Sequence, residues 1–341
     1  MAPLVSILIP AYNAEPWIAE TIRSAVGQTW PNKEIIVVDD GSTDQTLSIV
    51  QKFASKTVSV VTQKNQGVCA ARNRAYELCQ GDYIQWLDAD DLLSRDKIAK
   101  QMEVAEQSQS KRTLLSSAWG FFIFRTTKAR FVPTSLWCDL SPIEWLQRRW
   151  EEHLHMNPAT WLVARELSHA AGRWDTRLLG GGTDDGEYFC RAILASDGIR
   201  FVPDARAFYR ITGSSSLSYI GRSNKKMESL LLAMQLQIGQ LRSVDDSERS
   251  RAACVNYIQC WLPNFYPDRP DIVKQLEQLA SSLGGHLEAP RLSWKYAWIE
   301  KLFGFAAAKQ AQLSYNQTKS FALRTWDRMM YSCKGENGLL A

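Results

Sequence analysis

The feature that most constrains this chain is an alternation filling its first ninety residues, in which short apolar runs are separated by stretches of helical periodicity. Val5–Pro10, Ile35–Val38, Val58–Thr62 and Tyr83–Leu87 are the runs, and their pattern is that of strands buried in a sheet. Between them, Ile18, Ile22, Ala25 and Val26 share one face of a helix that starts at Pro16. Ser42-Thr-Asp-Gln45 has the form of a capping box opening a helix through about Ala54. A third helix, from about Val68 to Cys79, follows the Gln66-Gly67 turn. Strand, helix, strand with short joints closes as a parallel sheet covered by helices.

Beyond residue 91 the rhythm loosens. Asp96–Ser108 predicts a helix, while Leu114–Phe124 and Ala129–Val132 predict strands that extend the same sheet. Ser141-Pro142 starts a Trp-rich helix reaching about Glu152. Gly180-Gly-Gly182 interrupts the chain, a helix begins near Asp184, and Phe201–Val202 and Ala207–Arg210 are short strands. From Ser223 onward, as in Met227–Leu241, only helical periodicity persists. The expected layout is an α/β domain over 1–220, with halves meeting near residue 110, and a helical region over 221–341.

In an open parallel sheet, ligands bind beyond the carboxyl ends of the strands. This sequence places acids there twice, as Asp39-Asp40 after the second run and Asp88-Ala-Asp90-Asp91 after the fourth. Helix capping accounts for one acid per helix, such as Asp44 or Asp91, but not for doublets at both ends. Carboxylates crowded on one edge need a cation among them, and hard oxygen ligands suit Mg²⁺ or Mn²⁺ bridging substrate phosphates. The first turn, Pro10-Ala-Tyr-Asn-Ala-Glu-Pro16, lacks the glycines of a dinucleotide site, and no Gly-x-x-x-x-Gly-Lys loop occurs. Tyr12 is instead placed to stack on a base, and Asp40 to accept from a ring N–H.

These segments together resemble the family-2 glycosyltransferases of the GT-A fold. The resemblance rests on Val5-Ser-Ile-Leu-Ile-Pro-Ala-Tyr-Asn13, Gln28-Thr-Trp-Pro31, Glu34-Ile-Ile-Val-Val-Asp-Asp-Gly-Ser-Thr-Asp44, Gln66-Gly-Val-Cys-Ala-Ala-Arg-Asn73 and Gly81-Asp-Tyr-Ile-Gln-Trp-Leu-Asp-Ala-Asp-Asp-Leu92. It is dense over residues 4–100. It implies a Rossmann-like, mostly parallel sheet flanked by helices, with a helical C-terminal extension. The implied activity is inverting transfer of a sugar from a nucleotide-diphosphate donor, a UDP-sugar above others, to a hydroxyl of a glycan or lipid-linked acceptor in polysaccharide or cell-surface glycan synthesis. Pro10, Tyr12, Asp40, Arg72, Asn73 and Asp88 would bind the nucleotide-sugar, and Asp90 the metal. Downstream, Gly182-Thr-Asp-Asp-Gly-Glu-Tyr-Phe-Cys-Arg191 is similar to the family's acidic doublet, with Asp184 where Glu is usual and Gly186 where an aromatic is common. Asp185 is then the general base for the acceptor hydroxyl. Phe201-Val-Pro-Asp204 and Tyr209-Arg210 with Ser214–Ser218 continue the match. Asp184, Trp161 and Arg210 are candidates for acceptor contact or support, and Asn157-Pro-Ala-Thr-Trp161 for an acceptor wall. The alternative is a non-catalytic nucleotide-sugar-binding scaffold, against which the presence of all three acidic sites weighs.

Composition bounds the rest. A 341-residue chain with 45% hydrophobic residues can bury a large core. Of its thirteen tryptophans, most are expected in packing and some, such as Trp161 or Trp174, on a sugar face. The seven cysteines include no Cys-x-x-Cys, so neither zinc nor a disulfide framework is indicated, and a reducing cytoplasmic setting fits best. His153 and His155 point to different faces and make poor co-ligands. A net charge of +4 is too small for a nucleic-acid partner. Residues 286–341 hold eight Lys and Arg against four acids, an excess equal to that of the whole chain. With Trp294, Trp298, Ile299, Leu302 and Phe305 on one helix side, this tail is expected to dock on the catalytic domain or to touch the inner face of a membrane peripherally.

Overall fold

The computed structural model describes residues 2–108, 110–180, 183–213, 220–221 and 223–334. Gly181, Gly182 and Ser214–Ser218, singled out above, lie outside the described residues. Strands β1 (Val5–Ala11), β2 (Lys33–Asp39), β3 (Val58–Thr62) and β4 (Tyr83–Trp86) are parallel. With the short antiparallel β8 (Val163–Ala164) they make a five-stranded sheet in the order β3-β2-β1-β4-β8. Every residue of β1 is buried, as its unbroken apolar run requires. Successive side chains leave opposite faces, so Ile7, Ile9, Ile35 and Val37 join one core with Ile18 and Ile22 of α1 (Ile18–Val26). Leu8, Ile36, Val38 and Trp86 feed the other core with Ala71 and Ala75 of α3 (Val68–Leu78).

The second half departs from expectation. β6 (Thr113–Phe122) and β7 (Arg130–Phe131) do not extend the first sheet. They build a separate four-stranded sheet with β5 (Leu92–Leu93) and β9 (Gly198–Arg210), ordered β5-β9-β6-β7. An isolated Leu115–Leu162 bridge beside β8 links the two sheets. Phe201–Val202 and Ala207–Arg210, expected as two strands, are parts of the single strand β9. Its register jumps at Ser117/Ala118, whose partners are Val202 and Arg206. The intervening Pro203-Asp-Ala205 forms a bulge, and Pro203 has no N–H to donate to a ladder.

Ser141 caps α5 (Pro142–Glu151), its Oγ accepting from the Glu144 N–H at 3.3 Å. The capping box at Ser42 does not form. The helix there, α2, runs Thr46–Gln51, and it is Asp44 Oδ1 that accepts from the Thr46 N–H at 2.9 Å. The remaining helices are α4 (Lys97–Gln107), α6 (Arg165–Ala171), α7 (Asp184–Ala195), α8 (Asn224–Val244), α9 (Glu248–Trp261), α10 (Pro270–Ser282) and α11 (Ala297–Lys334). The helices after residue 221 share the core of the α/β part: α8 packs on α7 and α9 on α5, where Trp150 stacks on Tyr257 with centroids 4.9 Å apart. Within α11 the helix breaks at Gly304, whose φ of 81° a side chain would resist.

Candidate active site

The turns after β1 and β2 are stitched together. Asn13, at a left-handed φ of 47°, accepts at Oδ1 from the Thr43 N–H (2.8 Å), while its own N–H donates to Ser42 Oγ (3.0 Å). Ala14 N–H donates to Thr46 Oγ1 at 2.7 Å. Tyr12 stands at this rim, 43% exposed, with its ring open to a ligand, whereas Pro10 is buried within β1 opposite Val38 and serves the strand. Asp40 is occupied rather than open. Its Oδ1 accepts from Gln63 Nε2 (2.7 Å) and the Gln66 N–H (3.0 Å), and Oδ2 accepts from the Gly67 N–H (2.8 Å). It holds the Gln66-Gly67 turn in place. The neighbouring Asp39 bonds Thr62 and the Ser42 N–H through Oδ2, while its buried Oδ1 has no partner among the described residues. Sequence reasoning passed over Asp39 because only the strand register tells which member of the doublet keeps a free oxygen.

Beyond β4 the chain makes a tight acidic turn, with the Asp91 N–H bonded to the Asp88 carbonyl at 3.1 Å. Thr21 Oγ1 donates to the Ala89 carbonyl (2.9 Å), and Arg210 Nε to the Asp90 carbonyl (2.8 Å). Asp91 is not the helix cap it was expected to be, since α4 starts at Lys97. Fully buried, it accepts from the Arg210 N–H (2.9 Å) and Asn157 Nδ2 (2.7 Å), which ties the turn to β9 and to the segment before β8. Burial, then the charges of Asp90 and Asp88, hold its carboxyl well above the usual range. Asp90 is pushed up to about 7, by burial first and the Asp88 charge next, against the pull of Arg210.

Arg72 joins this turn to the second acidic doublet. Its Nη2 donates to Asp88 Oδ1 at 2.8 Å, and its Nη1 pairs with Asp184 Oδ2 at the start of α7. The guanidinium also lies 4.2 Å from the Trp174 ring centroid. Burial alone would lower the Arg72 pKa, but the two carboxylates overcome it and raise it. Arg72 thus bridges two acids, rather than being free for a phosphate as expected. Asn73 is likewise engaged, by the Trp174 backbone, with both bonds at 2.9 Å. Burial raises the pKa of both Asp184 and Asp185, with Arg72 opposing it at each and Arg149 also at Asp185. Asp184 is enclosed and ion-paired, whereas Asp185 is half-buried and accepts only the Gly186 N–H (2.7 Å) among the described residues.

Two aromatic expectations are corrected. Trp161 is 1% exposed, stacked on Phe189 and packed against Trp145, so it supports the core and cannot face a sugar. Trp174 is buried too, stacked on Tyr188 at 4.1 Å. His155 packs between Trp119 and Tyr209. At Gly186, where an aromatic is common, a Cβ would lie 3.1 Å from Gln237 Oε1 and 3.4 Å from Arg149 Nη2, so a side chain there requires these two flexible ends to shift.

No group of three or more His, Cys, Asp or Glu converges as a ready-made metal cage among the described residues. The Asp88–Asp90 pair nevertheless fits a divalent ion that takes its remaining ligands from phosphate and water. Its donors are the hard oxygens that such an ion prefers.

A parallel sheet with acids at two strand ends, joined through a bridging arginine to a helix N-terminus, defines a GT-A type of fold. Residues 6–117 match the model of "Glycosyl transferase family 2". An uncharacterized glycosyltransferase of Haemophilus influenzae is 43% identical over 109 residues, covering 31% of this chain and 44% of that protein. The putative teichuronic acid biosynthesis glycosyltransferase TuaG of Bacillus subtilis is 43% identical over 104 residues, 30% of this chain and 41% of its own. The chain spans less than half the length of these curated relatives. Among solved structures, S. aureus TarS 1–349 in complex with UDP-GlcNAc superposes with a TM-score of 0.65 at 20% identity, over 82% of this chain and 80% of that one. That likeness is one of fold.

Proposed function

We propose that this protein is a metal-dependent, inverting glycosyltransferase that moves a sugar from a nucleoside-diphosphate donor, a UDP-sugar above others, to a hydroxyl of a glycan or lipid-linked acceptor. One observation carries the reading. Arg72 ties Asp88, at the end of the fourth strand, to Asp184, 112 residues further on, so that two acidic clusters form one site. A glycosyl transfer needs both, one for the leaving diphosphate and one for the incoming hydroxyl.

In this reading Asp90 with Asp88 would hold Mg²⁺ or Mn²⁺, which when bound supplies charge compensation for the diphosphate. Tyr12 would stack on the base, and the free oxygen of Asp39 is the acceptor for a ring N–H. Asp185 takes the proton of the acceptor hydroxyl: burial raises its basicity, and one oxygen stays open. Asp184, with its oxygen already committed to Arg72, positions the arginine. Inversion follows from this assignment, because one base acting opposite the leaving group completes a single displacement.

The reading extends to a membrane-linked setting on the cytoplasmic side. No described helix is long and apolar enough to cross a membrane. Around the start of α11, however, Trp294, Trp298, Leu302 and Phe303 are 81, 61, 68 and 69% exposed, with Lys295 and Lys301 beside them. Exposed indoles flanked by lysines suit the interface of an anionic bilayer carrying a lipid-linked acceptor. The activity test is a panel of nucleotide-sugars with Mn²⁺ and a mixed acceptor pool, scored by release of nucleoside diphosphate. Turnover of one donor that is lost in Asp90→Ala supports the reading. A scaffold would bind a donor and turn over none.

A further inference from the structure

The last helix reaches back to the acidic turn. After the break at Gly304, α11 continues for some 30 residues, about 45 Å at helical rise. Its near end is fixed on the helical region: Lys309 Nζ donates to the Tyr266 carbonyl (2.6 Å) and pairs with Asp268 (3.0 Å), and Ala308 is fully buried. Its far end sits on the N-terminal half. Asp327, 9% exposed, accepts from the Phe124 and Arg125 N–H groups and pairs with the Arg125 guanidinium at 2.6 Å. Tyr331 donates from its hydroxyl to Glu20 Oε1 at 2.8 Å, and its ring lies 6.1 Å from that of Phe124.

Glu20 connects this docking to the site. Its Oε2 accepts from Arg210 Nη2 at 2.6 Å, and Arg210 Nε in turn holds the Asp90 carbonyl. Arg210 is 2% exposed and clamped between two rings, 4.6 Å from Trp17 and 4.4 Å from Phe122. With the guanidinium plane fixed, its position along that plane is set by the Glu20 carboxylate on Nη2 and, more weakly, by the Ile123 carbonyl, which accepts from Nη1 at 3.3 Å. That carboxylate has one oxygen on Arg210 and the other on Tyr331. An outer group that fixes the orientation of a ligand-bearing segment adjusts its affinity without touching the ligand.

We propose that the C-terminal helix is a positioning strap for the acidic turn, anchored by Asp327 on Arg125, with Tyr331 and Glu20 as positioning residues that act on Asp90 through Arg210. The inference rests on the reading of Asp88–Asp90 as the metal and diphosphate turn. Without the Tyr331 bond, Glu20 is free to swing, Arg210 slides, and the Asp90 carbonyl loses its fixed partner.

The test uses the full chain and Mn²⁺ as the probe, following free Mn²⁺ by electron paramagnetic resonance during titration with protein. Glu20→Gln should weaken Mn²⁺ binding about tenfold, and Tyr331→Phe several-fold. The double variant should be no weaker than Glu20→Gln alone, because the two act in series. A merely structural role would lower the unfolding midpoint and leave Mn²⁺ affinity of the folded protein unchanged, and that result in both single variants overturns the strap. If the wild type binds no Mn²⁺, the metal reading fails on its own. The strap is then judged by amide hydrogen exchange over residues 88–92, which Tyr331→Phe should accelerate and which, if unchanged, overturns it.

Discussion

Asp184 and Asp185 are neighbours whose carboxylates have different freedom. Asp184 is held by Arg72, so its charge is compensated and its oxygen directed. Burial makes both more basic, but only Asp185 keeps an open oxygen. Asp185→Asn should therefore lower kcat by about 10²–10⁴ with donor affinity kept, read from steady-state kinetics beside donor titration. Unchanged kcat would move the base elsewhere. Asp90 gives a pH signature. A divalent ion needs the ionised carboxylate, so with the Asp90 pKa at about 7, Mn²⁺ affinity should weaken as pH falls through neutrality. In the metal-free protein the folded pKa lies above the unfolded one, so this group's contribution to stability falls as pH rises from about 4 through 7. His155 opposes it: burial, and Arg149 after it, press its pKa down to about 4, so its contribution rises with pH toward its unfolded value of about 6.5. Comparison of wild type with Asp90→Asn by urea unfolding removes the common histidine effect. The variant should gain on the wild type at pH 8 relative to pH 5.

Among the elements, α3 carries the residue that unites the site. Arg72→Met would leave Asp184 buried without its cation and cost about 3–5 kcal/mol in urea unfolding. Arg72→Lys keeps the charge but not the fork, so it should restore stability more than turnover. β1 to β4 and their helices were legible because a strand buried on both faces writes an unbroken apolar run, and the order of runs then dictates parallel pairing. β6 and β9 were legible as strands but not as a second sheet, because an apolar run does not name its neighbour. The bulge at Pro203 was invisible for the same reason, since it exists only against the register of Ser117 and Ala118. Within the site, the acids were visible as doublets at strand ends. What each oxygen bonds was not, because Arg72–Asp184, Asp91–Arg210 and Asn157–Asp91 join residues 112, 119 and 66 positions apart. Trp161 misled because an indole in a loop next to a candidate site reads the same whether it faces a sugar or the core.

At the scale of the whole molecule, the region after residue 221 works at both of its faces. Inward, α8 and α9 complete the core around Trp150 and Tyr188, and α11 docks on both halves of the α/β part, at Phe124 and at Glu20. Outward, the aromatic and basic start of α11 stays uncovered. Paired Trp298→Glu and Leu302→Glu changes should abolish co-sedimentation with anionic vesicles while leaving turnover of a soluble acceptor intact. Equal sedimentation of the variant and the wild type would remove the membrane from the account.

The central claim is that one site unites a metal-held donor with a distant base, and its donor half is open to a single direct measurement. Thermal unfolding of the full chain is followed with a panel of nucleotide-sugars, in Mn²⁺ and in EDTA, for the wild type and Asp90→Ala. A ligand at a hundred times its Kd adds about 2.7 kcal/mol, a rise of several degrees in a chain of this size. The account predicts such a rise for one donor in Mn²⁺, absent in EDTA and absent in Asp90→Ala. A midpoint that no nucleotide-sugar moves, or one moved equally with and without metal, would contradict it.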